Sequence, residues 1–448
     1  MSHVSMFRLV SRGNTQLKHI THNLNLSLIP QQSLRGLTTK ASPLAPTITI
    51  QKTVPSTHPD ASPEDKLKML QEELVASLKN NNIVTFTTEK PAGNPLHKSD
   101  PDEADLDTIT SLDSPPSPST IRAPVEISTE IMSISEKTFP SAHPALARSY
   151  NDHAYVLKTS ENFETSIEYY IKSLQTYEES IGKLSPSYSA VLRNLSAVYR
   201  DAALGLELPS EASGETKKDF NAERDALIQR SREAADDALH WSERWLKKVN
   251  KEIEENEDTL YGPEEYTKAY ETLADSLTNG SMTYLIQSRT LQTASGSEKL
   301  AREKGKVSKA ILKESERMCE RGIQILIDVE GLEGGIDGVL ESEEGSLRFA
   351  KACNSMGTIL TTKSKYMSST SKNSQLQIAL KYLYKSYQIR EFKLHESHDD
   401  VIVTLYGIAS AYEEMGEVEE ARKVQEFILE RMGVRIDEDG NVVEVSGK

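Results

Sequence analysis

Residues 401–432 read VIVTLYGIASAYEEMGEVEEARKVQEFILERM, and this stretch predicts two helices joined by a tight turn. Ile408, Ala409 and Tyr412 fall at positions i, i+1 and i+4, which places them close together on a helix surface. A small residue beside a bulky one lets a second helix approach closely. Gly416 ends the first helix, because glycine is the usual residue just past a helix terminus. The stretch therefore predicts a closely packed helical hairpin.

The same pattern recurs four times earlier in the chain, which indicates an array of repeats. Each copy has a bulky residue (His in the first), then a small residue, then Leu or Tyr four positions after the bulky one. The copies are HAYVL at 153–157, LSAVY at 195–199, LADSL at 273–277 and MGTIL at 356–360.

The second helices carry their own pattern of small, large and small residues at i, i+4 and i+7. Its members are Ser166, Tyr170 and Ser173; Ala235, Leu239 and Ser242; Ser315, Cys319 and Gly322; and Ala379, Leu383 and Ser386. The last repeat keeps Ala421 but has Gln425 and Ile428, a departure that suits a terminal unit with a more polar outer face.

This arrangement resembles the tetratricopeptide repeat, a helix–turn–helix unit of about 34 residues. The signatures at His153 and Leu195 are 42 residues apart, and the connections are long, which resembles the variant found in kinesin light chains. His143-Pro144 and Ser185-Pro186 lie where first helices begin. The resemblance covers residues 140–433. It implies an all-α solenoid, a right-handed superhelix of about five helix pairs.

The middle signatures are farther apart, which predicts insertions. From Leu195 to Leu273 there are 78 residues, and from Leu273 to Met356 there are 83. We expect a loop at 205–219, a helix over 220–255, lengthened helices around 288–304, an exposed loop at 331–345 and a linker at 368–374.

Residues 1–59 contain six basic residues and no acidic one, although the whole chain carries a net charge of −16. Five apolar residues between Phe7 and Ile20 can form one helical face beside Arg8, Arg12 and Lys18. This segment resembles a mitochondrial transit peptide, with cleavage expected after residue 37. We therefore expect a mitochondrial protein in the matrix or associated with the inner membrane. The alternative is a basic tail on a cytosolic protein.

Residues 60–139 predict a linker with one short amphipathic helix. Leu67, Leu70, Leu74 and Leu78 have helical spacing, whereas residues 90–124 combine acids with prolines and cannot bury a core. The helix could cap the solenoid, bind a partner or stay unattached. Residues 434–448 are predicted to be a C-terminal tail.

Composition narrows the possible functions. Without residues 1–59 the chain carries −22, which opposes binding to a phosphate backbone. The two cysteines give no disulfide framework and no cysteine-rich metal site, and no apolar run approaches the length of a membrane span. Glycine-rich phosphate loops and nucleophile elbows are absent from the sequence, so we expect neither catalysis nor a cofactor or metal.

Two local groups of residues resemble functional sites, but we expect structural roles for both. His395, His398 and the two following aspartates resemble a metal site, but we expect them in a loop that ends and begins helices. Trp241 and Trp245 lie one helical turn apart, and we expect them to pack in the core; an exposed docking pair is the alternative.

The resemblance to tetratricopeptide arrays implies that the first helix of each pair lines an inner groove. The candidate groove residues are Arg148, Asn151, Tyr155, Arg193, Asn194, Lys268, Glu271, Lys351, Asn354 and Tyr406. Asparagine offers both a donor and an acceptor, so it can hold the main chain of an extended peptide. Kinesin-light-chain-like repeats use asparagines in this way, which the match at Asn151, Asn194 and Asn354 implies here.

Three basic candidates, Arg148, Lys268 and Lys351, would favour an acidic or carboxylate-bearing partner segment. The pattern lacks the two-carboxylate clamp of chaperone-binding tetratricopeptide domains. We therefore expect a non-enzymatic adaptor for a protein or peptide, and, by analogy with metazoan factors of similar layout, assistance in assembling a respiratory-chain complex. The alternatives are a mitochondrial helical-repeat RNA factor and a cytosolic cargo or signalling adaptor. Neither the partner nor the oligomeric state follows from the sequence.

Overall fold

A computed structural model describes most of the chain from residue 62 onward. The described residues are 62–80, 123–206, 214–255, 261–293, 298–342, 344–394, 398–432, 434–436 and 442–444. The described residues up to Pro140 form one compact unit, and those from Ser141 onward form another. The predicted transit peptide and the acidic, proline-rich linker at 90–122 lie outside the described residues.

The smaller unit contains two described helices that pack against each other, α1 (Pro63–Asn80) and α2 (Pro124–Thr138). Helix α1 buries its four regularly spaced leucines, as the sequence predicts. Helix α2 buries Ile127 and Ile131, which are also one turn apart, and the sequence analysis missed it. Its start follows a proline-rich run, but proline is well tolerated in the first turn, where its missing N–H has no helical partner.

Within the described ranges, the larger unit contains five helix pairs. They are α3 (Pro144–Thr159) with α4 (Phe163–Ser180), α5 (Pro186–Gly205) with α6 (Gly214–Glu255), α7 (Pro263–Thr293) with α8 (Glu298–Glu330), α10 (Leu347–Ser364) with α11 (Ser369–Lys393), and α12 (Asp399–Met415) with α13 (Val418–Arg431). The helices of each pair pack together, and each pair packs on the next along the chain. The predicted all-α solenoid is confirmed.

Helix starts and ends follow the residues that the sequence singled out. His143 caps α3 by accepting the Ala145 N–H on Nδ1 at 3.1 Å, and Ser185 caps α5 by accepting the Tyr188 N–H at 3.2 Å. His398 caps α12 in the same way, so its role is structural, while His395 lies outside the described residues. Gly416 closes α12 with φ of 85°, a left-handed conformation that side chains with a Cβ resist.

The seam between the two helices of a pair is built from the small residues of the signatures. Ser166 Oγ donates to the Ala154 carbonyl at 2.7 Å, and Ser315 Oγ donates to the Ser281 carbonyl at 2.7 Å. A serine hydroxyl can reach the backbone of a neighbouring helix only where the two backbones approach closely. At Gly357 the approach is closer still, because a Cβ there would lie 2.5 Å from Leu383 Cγ.

The insertions take more ordered forms than the sequence predicts. Helices α6, α7 and α8 run for 42, 31 and 33 residues, so the central pairs are lengthened. The segment 331–345, expected to be an exposed loop, contains the short helix α9 (Gly335–Glu341), which buries Val339 and packs against α8 and α11. Helix α11 already begins at Ser369, inside the expected linker.

Two further regions complete the description. Trp245 is buried beside Val249 and Ala269, which confirms the packing role, and Trp241 packs edge-on against Tyr188 with ring centroids 6.2 Å apart.

The C-terminal segment, predicted to be only a tail, contains β1 (Val434–Ile436) and β2 (Val442–Glu444), which pair as an antiparallel hairpin.

Candidate functional site

The first helices of the pairs face one another around a concave surface. Tyr155 on α3 lies close enough to Asp400 on α12 for that carboxylate to help raise its pKa, although three helix pairs lie between them in the sequence. Lys351 on α10 likewise interacts electrostatically with Asp275 on α7, Arg193 on α5 and Asp400. We call the surface of α3, α5, α7, α10 and α12 that carries these residues the groove.

The first two pairs are joined in the groove by their asparagines. Asn194 Nδ2 on α5 donates to Asn151 Oδ1 on α3 at 3.0 Å. Asn151 Nδ2 in turn donates to Asp152 Oδ1 at 3.1 Å, and Asp152 forms an ion pair with Arg148 at 3.7 Å. Two of the three asparagines expected to hold a peptide therefore already hold each other.

The second and third pairs are joined by Arg193. Its guanidinium lies 3.5 Å from the Asp275 carboxylate and donates at 3.5 Å to the Thr272 carbonyl at one end of the same turn of α7. In the opposite direction, Asn279 Nδ2 donates to the Arg193 carbonyl at 3.4 Å. Arg193 thus serves the packing of neighbouring pairs, and it is only partly available to a ligand.

The third and fourth pairs are joined by an arginine that the sequence analysis missed. Arg348 at the start of α10 lies 2.7 Å from Glu271 and 3.5 Å from Asp275. Asp275 therefore forms ion pairs with an arginine of each neighbouring pair. Burial raises the pKa of Glu271, and Asp275 adds to this, while Arg348 opposes the rise. The only signal for Arg348 in the sequence is a cation near the start of a first helix whose neighbour carries two acids one turn apart.

Lys351 is the groove cation that remains open. Its side chain is exposed, and within the described ranges no acceptor or carboxylate bonds its ammonium. The groove walls nevertheless surround that ammonium with protein, which lowers the pKa of Lys351; Arg193 lowers it further, and Asp275 and Asp400 oppose the shift. An open ammonium in a partly desolvated position favours a carboxylate from outside the chain.

Asn354 follows Lys351 by one helical turn and is half-buried. Its Oδ1 is fully buried and has no hydrogen-bond partner in the described part of the chain. It faces α12 near Gly407, where a Cβ would lie 3.9 Å from this oxygen. Unlike the other two asparagines, Asn354 therefore has an amide with unused hydrogen-bonding capacity.

The remaining candidates form the walls. Burial is the main cause of the raised pKa of Tyr155, and Asp400, Asp399 and Asp201 add to it. Burial also raises the pKa of Tyr406 to about 12, so both phenols stay protonated at neutral pH. Lys268 is half-buried on α7, one turn before Thr272. The ten predicted residues thus form three groups. Some interact with other residues of the protein, two are aromatic residues of the groove wall, and the third group is Lys351 with Asn354.

The described ranges do not meet the requirements of a metal site, an exposed thiol or a membrane-spanning helix. No group of three or more His, Cys, Asp or Glu residues there could hold a metal ion. Both thiols, Cys319 and Cys353, are fully buried, and burial raises their pKa values. Among the helices described, none combines the length and the apolar character that crossing a bilayer requires.

A comparison with protein families matches residues 147–179 to the family described as tetratricopeptide repeat. The matched residues span helices α3 and α4, the first of the five pairs. The match supports a tetratricopeptide repeat protein. The concave surface of such repeats is where they typically bind protein partners, and this is the surface that carries the groove. No curated protein matches the chain.

The later pairs reproduce the seam of this first tetratricopeptide repeat with different residues. Ser173 Oγ donates to the Ala147 carbonyl in the matched pair, and Ser231 Oγ donates to the Ser196 carbonyl at 2.7 Å in the second pair. These pairs therefore share a packing scheme with the pair that contains the matched residues 147–179.

Proposed function

We propose that the solenoid is a non-enzymatic scaffold that holds an extended segment of a partner protein in its groove. Lys351 and Asn354 carry the proposal, because they stand one turn apart on α10, near the centre of the groove. The ammonium of Lys351 has no bond in the described residues, and the buried Asn354 Oδ1 has none either. Asn151, Asn194, Arg193 and Glu271, by contrast, bond to residues of neighbouring pairs.

The chemistry of these two residues favours a particular kind of segment. The ammonium of Lys351 would donate to a carboxylate, and Asn354 Nδ2 would donate to a main-chain carbonyl within reach of it. The groove also contains Glu271, Asp275 and Asp400, which would repel a second acid placed far from Lys351. The proposed ligand is thus an extended peptide with one carboxylate, not a polyacidic one.

The finer part of the proposal concerns the cell. We infer that the protein acts in the mitochondrion, in the matrix or at the inner membrane, and assists the assembly of a respiratory-chain complex. Support comes from the basic, acid-free residues 1–59 and from repeats that resemble those of kinesin light chains. The step to respiratory-chain assembly is an analogy of architecture.

The groove is tested by comparing two variants in affinity capture from mitochondria. Lys351→Glu reverses the charge of the open ammonium, whereas Lys381→Glu makes the same change at an exposed lysine on α11, outside the groove. We expect partners retained by the native chain to be lost with Lys351→Glu and kept with Lys381→Glu, at equal helicity. Equal retention by both variants would refute binding by the groove.

Localisation is tested by importing the full chain into isolated mitochondria. We expect a protease-protected product shortened by roughly the 37 predicted residues, measured by mass spectrometry. A chain that stays outside at full length would refute the mitochondrial part and favour the cytosolic adaptor, while leaving the groove proposal intact.

A further inference from the structure

One corner of the solenoid carries a charge opposite to that of the whole chain. Helix α8 has four cations at i, i+4, i+7 and i+11, which share one face and span about 16 Å along the helix. They are Arg302, Lys306, Lys309 and Lys313, all exposed. We call them the basic stripe.

Acids are nearly absent around the basic stripe. The second half of α7, residues 276–293, and the whole of α10 contain no Asp or Glu, and α8 contributes only Glu303 between residues 302 and 313. Glu298 lies one turn before Arg302 on α8, and the two acids that follow the stripe have other partners. Glu314 bonds Arg317 at 2.9 Å, and Glu316 bonds Lys363 at 2.8 Å.

None of the four cations of the stripe forms an ion pair within the described ranges. This is unusual for a chain with a net charge of −16, whose other exposed cations often pair with acids on the same helix, as Arg422 does with Glu426 at 2.6 Å. Four adjacent unpaired cations repel one another. An anionic partner that neutralised them would therefore be bound favourably.

Apolar groups flank the stripe. Val307, beside Lys306, is 51% exposed, and Tyr366 at the end of α10 is 38% exposed. Lys309 Nζ lies 5.7 Å from the centre of the Tyr366 ring, so the turn that follows α10 and the stripe form one continuous surface. The opposite side of α8 is buried against α7, where the hydroxyls of Ser288 and Ser308 form a hydrogen bond at 2.9 Å.

We propose that the basic stripe docks the protein on a bilayer containing anionic phospholipids. Clusters of four or more Lys or Arg on one helix face suit a plane of phosphate headgroups. The exposed Val307 would enter the headgroup layer beside them, and a tyrosine is a typical interfacial residue. The groove is a separate surface, so a partner and a bilayer could be bound together.

A nucleic acid is the competing occupant, and two observations disfavour it. Single-stranded binding usually requires aromatic rings whose faces are free for bases to stack on. Between residues 302 and 313, α8 has no aromatic residue, and Lys309 lies over the ring of the adjacent Tyr366. The acidic remainder of the chain would also repel a long phosphate backbone that extends past the stripe.

The test is sedimentation of the full chain with vesicles of phosphatidylcholine, with and without phosphatidylserine. Because residues 1–59 are themselves basic, every protein in the assay carries three neutralising changes at that end. They are Arg8→Gln, Arg12→Gln and Lys18→Gln. Circular dichroism confirms that each protein keeps its helical content.

Arg302→Gln with Lys306→Gln removes two cations of the stripe spaced by four residues. Lys247→Gln with Lys251→Gln is the matched control, since both lysines are exposed on α6 with the same spacing. We expect the stripe pair to weaken salt-sensitive binding to the anionic vesicles about 30-fold, at roughly fivefold per cation, and the control to change it less than about threefold.

Three outcomes would overturn the proposal. They are equal binding by the stripe pair and the control pair, equal binding to vesicles with and without phosphatidylserine, and binding of polyuridylic acid but not of vesicles. The third would assign the stripe to a nucleic acid. None of these results bears on capture by Lys351, so this proposal and the groove can fail separately.

Discussion

The seam within each helix pair and the groove across the pairs are built on different principles. In the seam, small residues recur in register, and Ser166 and Ser315 each place a hydroxyl on the carbonyl of the partner helix. In the groove, each junction between pairs is held by different residues. The first junction has a hydrogen bond between two asparagines, and at the next two junctions arginines form ion pairs with Asp275. A periodic requirement thus gives a repeated residue pattern, whereas junction-specific bonds give none.

The seam should be the most sensitive region. Gly357→Leu places a Cβ 2.5 Å from Leu383 Cγ and 3.0 Å from the Ala379 carbonyl, so the helices α10 and α11 must separate. We expect a loss of about 3 kcal/mol in the free energy of unfolding, measured by denaturant titration. Gly305→Ala in α8 is the control, because a Cβ there meets nothing within 4 Å, and we expect it to stabilise by about 0.5–1 kcal/mol. A neutral Gly357→Leu would show that the seam is not closely packed.

The groove junctions should come next. Asp275→Ala leaves Arg193 and Arg348 without their shared carboxylate, and we expect a loss of about 1–2 kcal/mol in the same titration. Glu426→Ala breaks the pair with Arg422 on the exposed face of α13, and we expect less than about 0.5 kcal/mol. Equal effects would mean that the groove bonds are ordinary surface ion pairs.

The asparagines should separate into two roles. Asn194→Ala removes the donor to Asn151, and we expect a loss of about 1 kcal/mol in stability. Asn354→Ala removes an amide whose buried oxygen has no described partner, so we expect unchanged or slightly higher stability but weaker capture of the partner protein. Full capture by the folded Asn354→Ala protein would remove this residue from the proposed site.

The smallest effect concerns pH at the last junction. Burial alone would raise the pKa of Glu414, but bonds at 3.0 Å from Lys372 and 3.1 Å from Lys365 outweigh it and lower the pKa. The stabilisation is therefore complete above the usual pKa near 4.5 and disappears as the pH falls through the lowered value. We expect Glu414→Gln to lose about 0.5 kcal/mol less than the native chain on acidification, followed by thermal unfolding. A parallel acid profile would show that these bonds contribute nothing.

The sequence predicted those parts of the fold that repeat. The bulky and small residues around Ile408 and Ala409 recur at fixed offsets, and the caps at His143 and Ser185 precede prolines, so pairs and starts could be found by comparing the chain with itself. Helix α9 was not predicted because it has no counterpart in the other repeats, and because the glycines at both of its ends are typical of a loop. Helix α2 escaped for a similar reason, since prolines precede it.

The candidate site could be predicted by residue type but not by use. Asn194 and Asn354 occupy comparable places in the pattern, yet one bonds a neighbouring pair and the other has no described partner for its oxygen. That difference depends on which residue the adjacent pair presents, and no single repeat contains this information. The basic stripe escaped because the net charge of −16 conceals a local excess of the opposite sign.

Asp275 has a mechanical consequence. Its carboxylate forms ion pairs with Arg193 of the preceding pair and with Arg348 of the following pair. Any change in the curvature of the central pairs must therefore stretch two ion pairs at once. At the first junction, the Asn194–Asn151 hydrogen bond and the ion pair between Lys158 and Asp201 link only two pairs, and at the last junction Glu414 binds lysines of one neighbouring pair. The array should therefore bend near its ends and resist bending in its middle, which would let the terminal pairs adjust to a bound protein while the centre keeps its spacing.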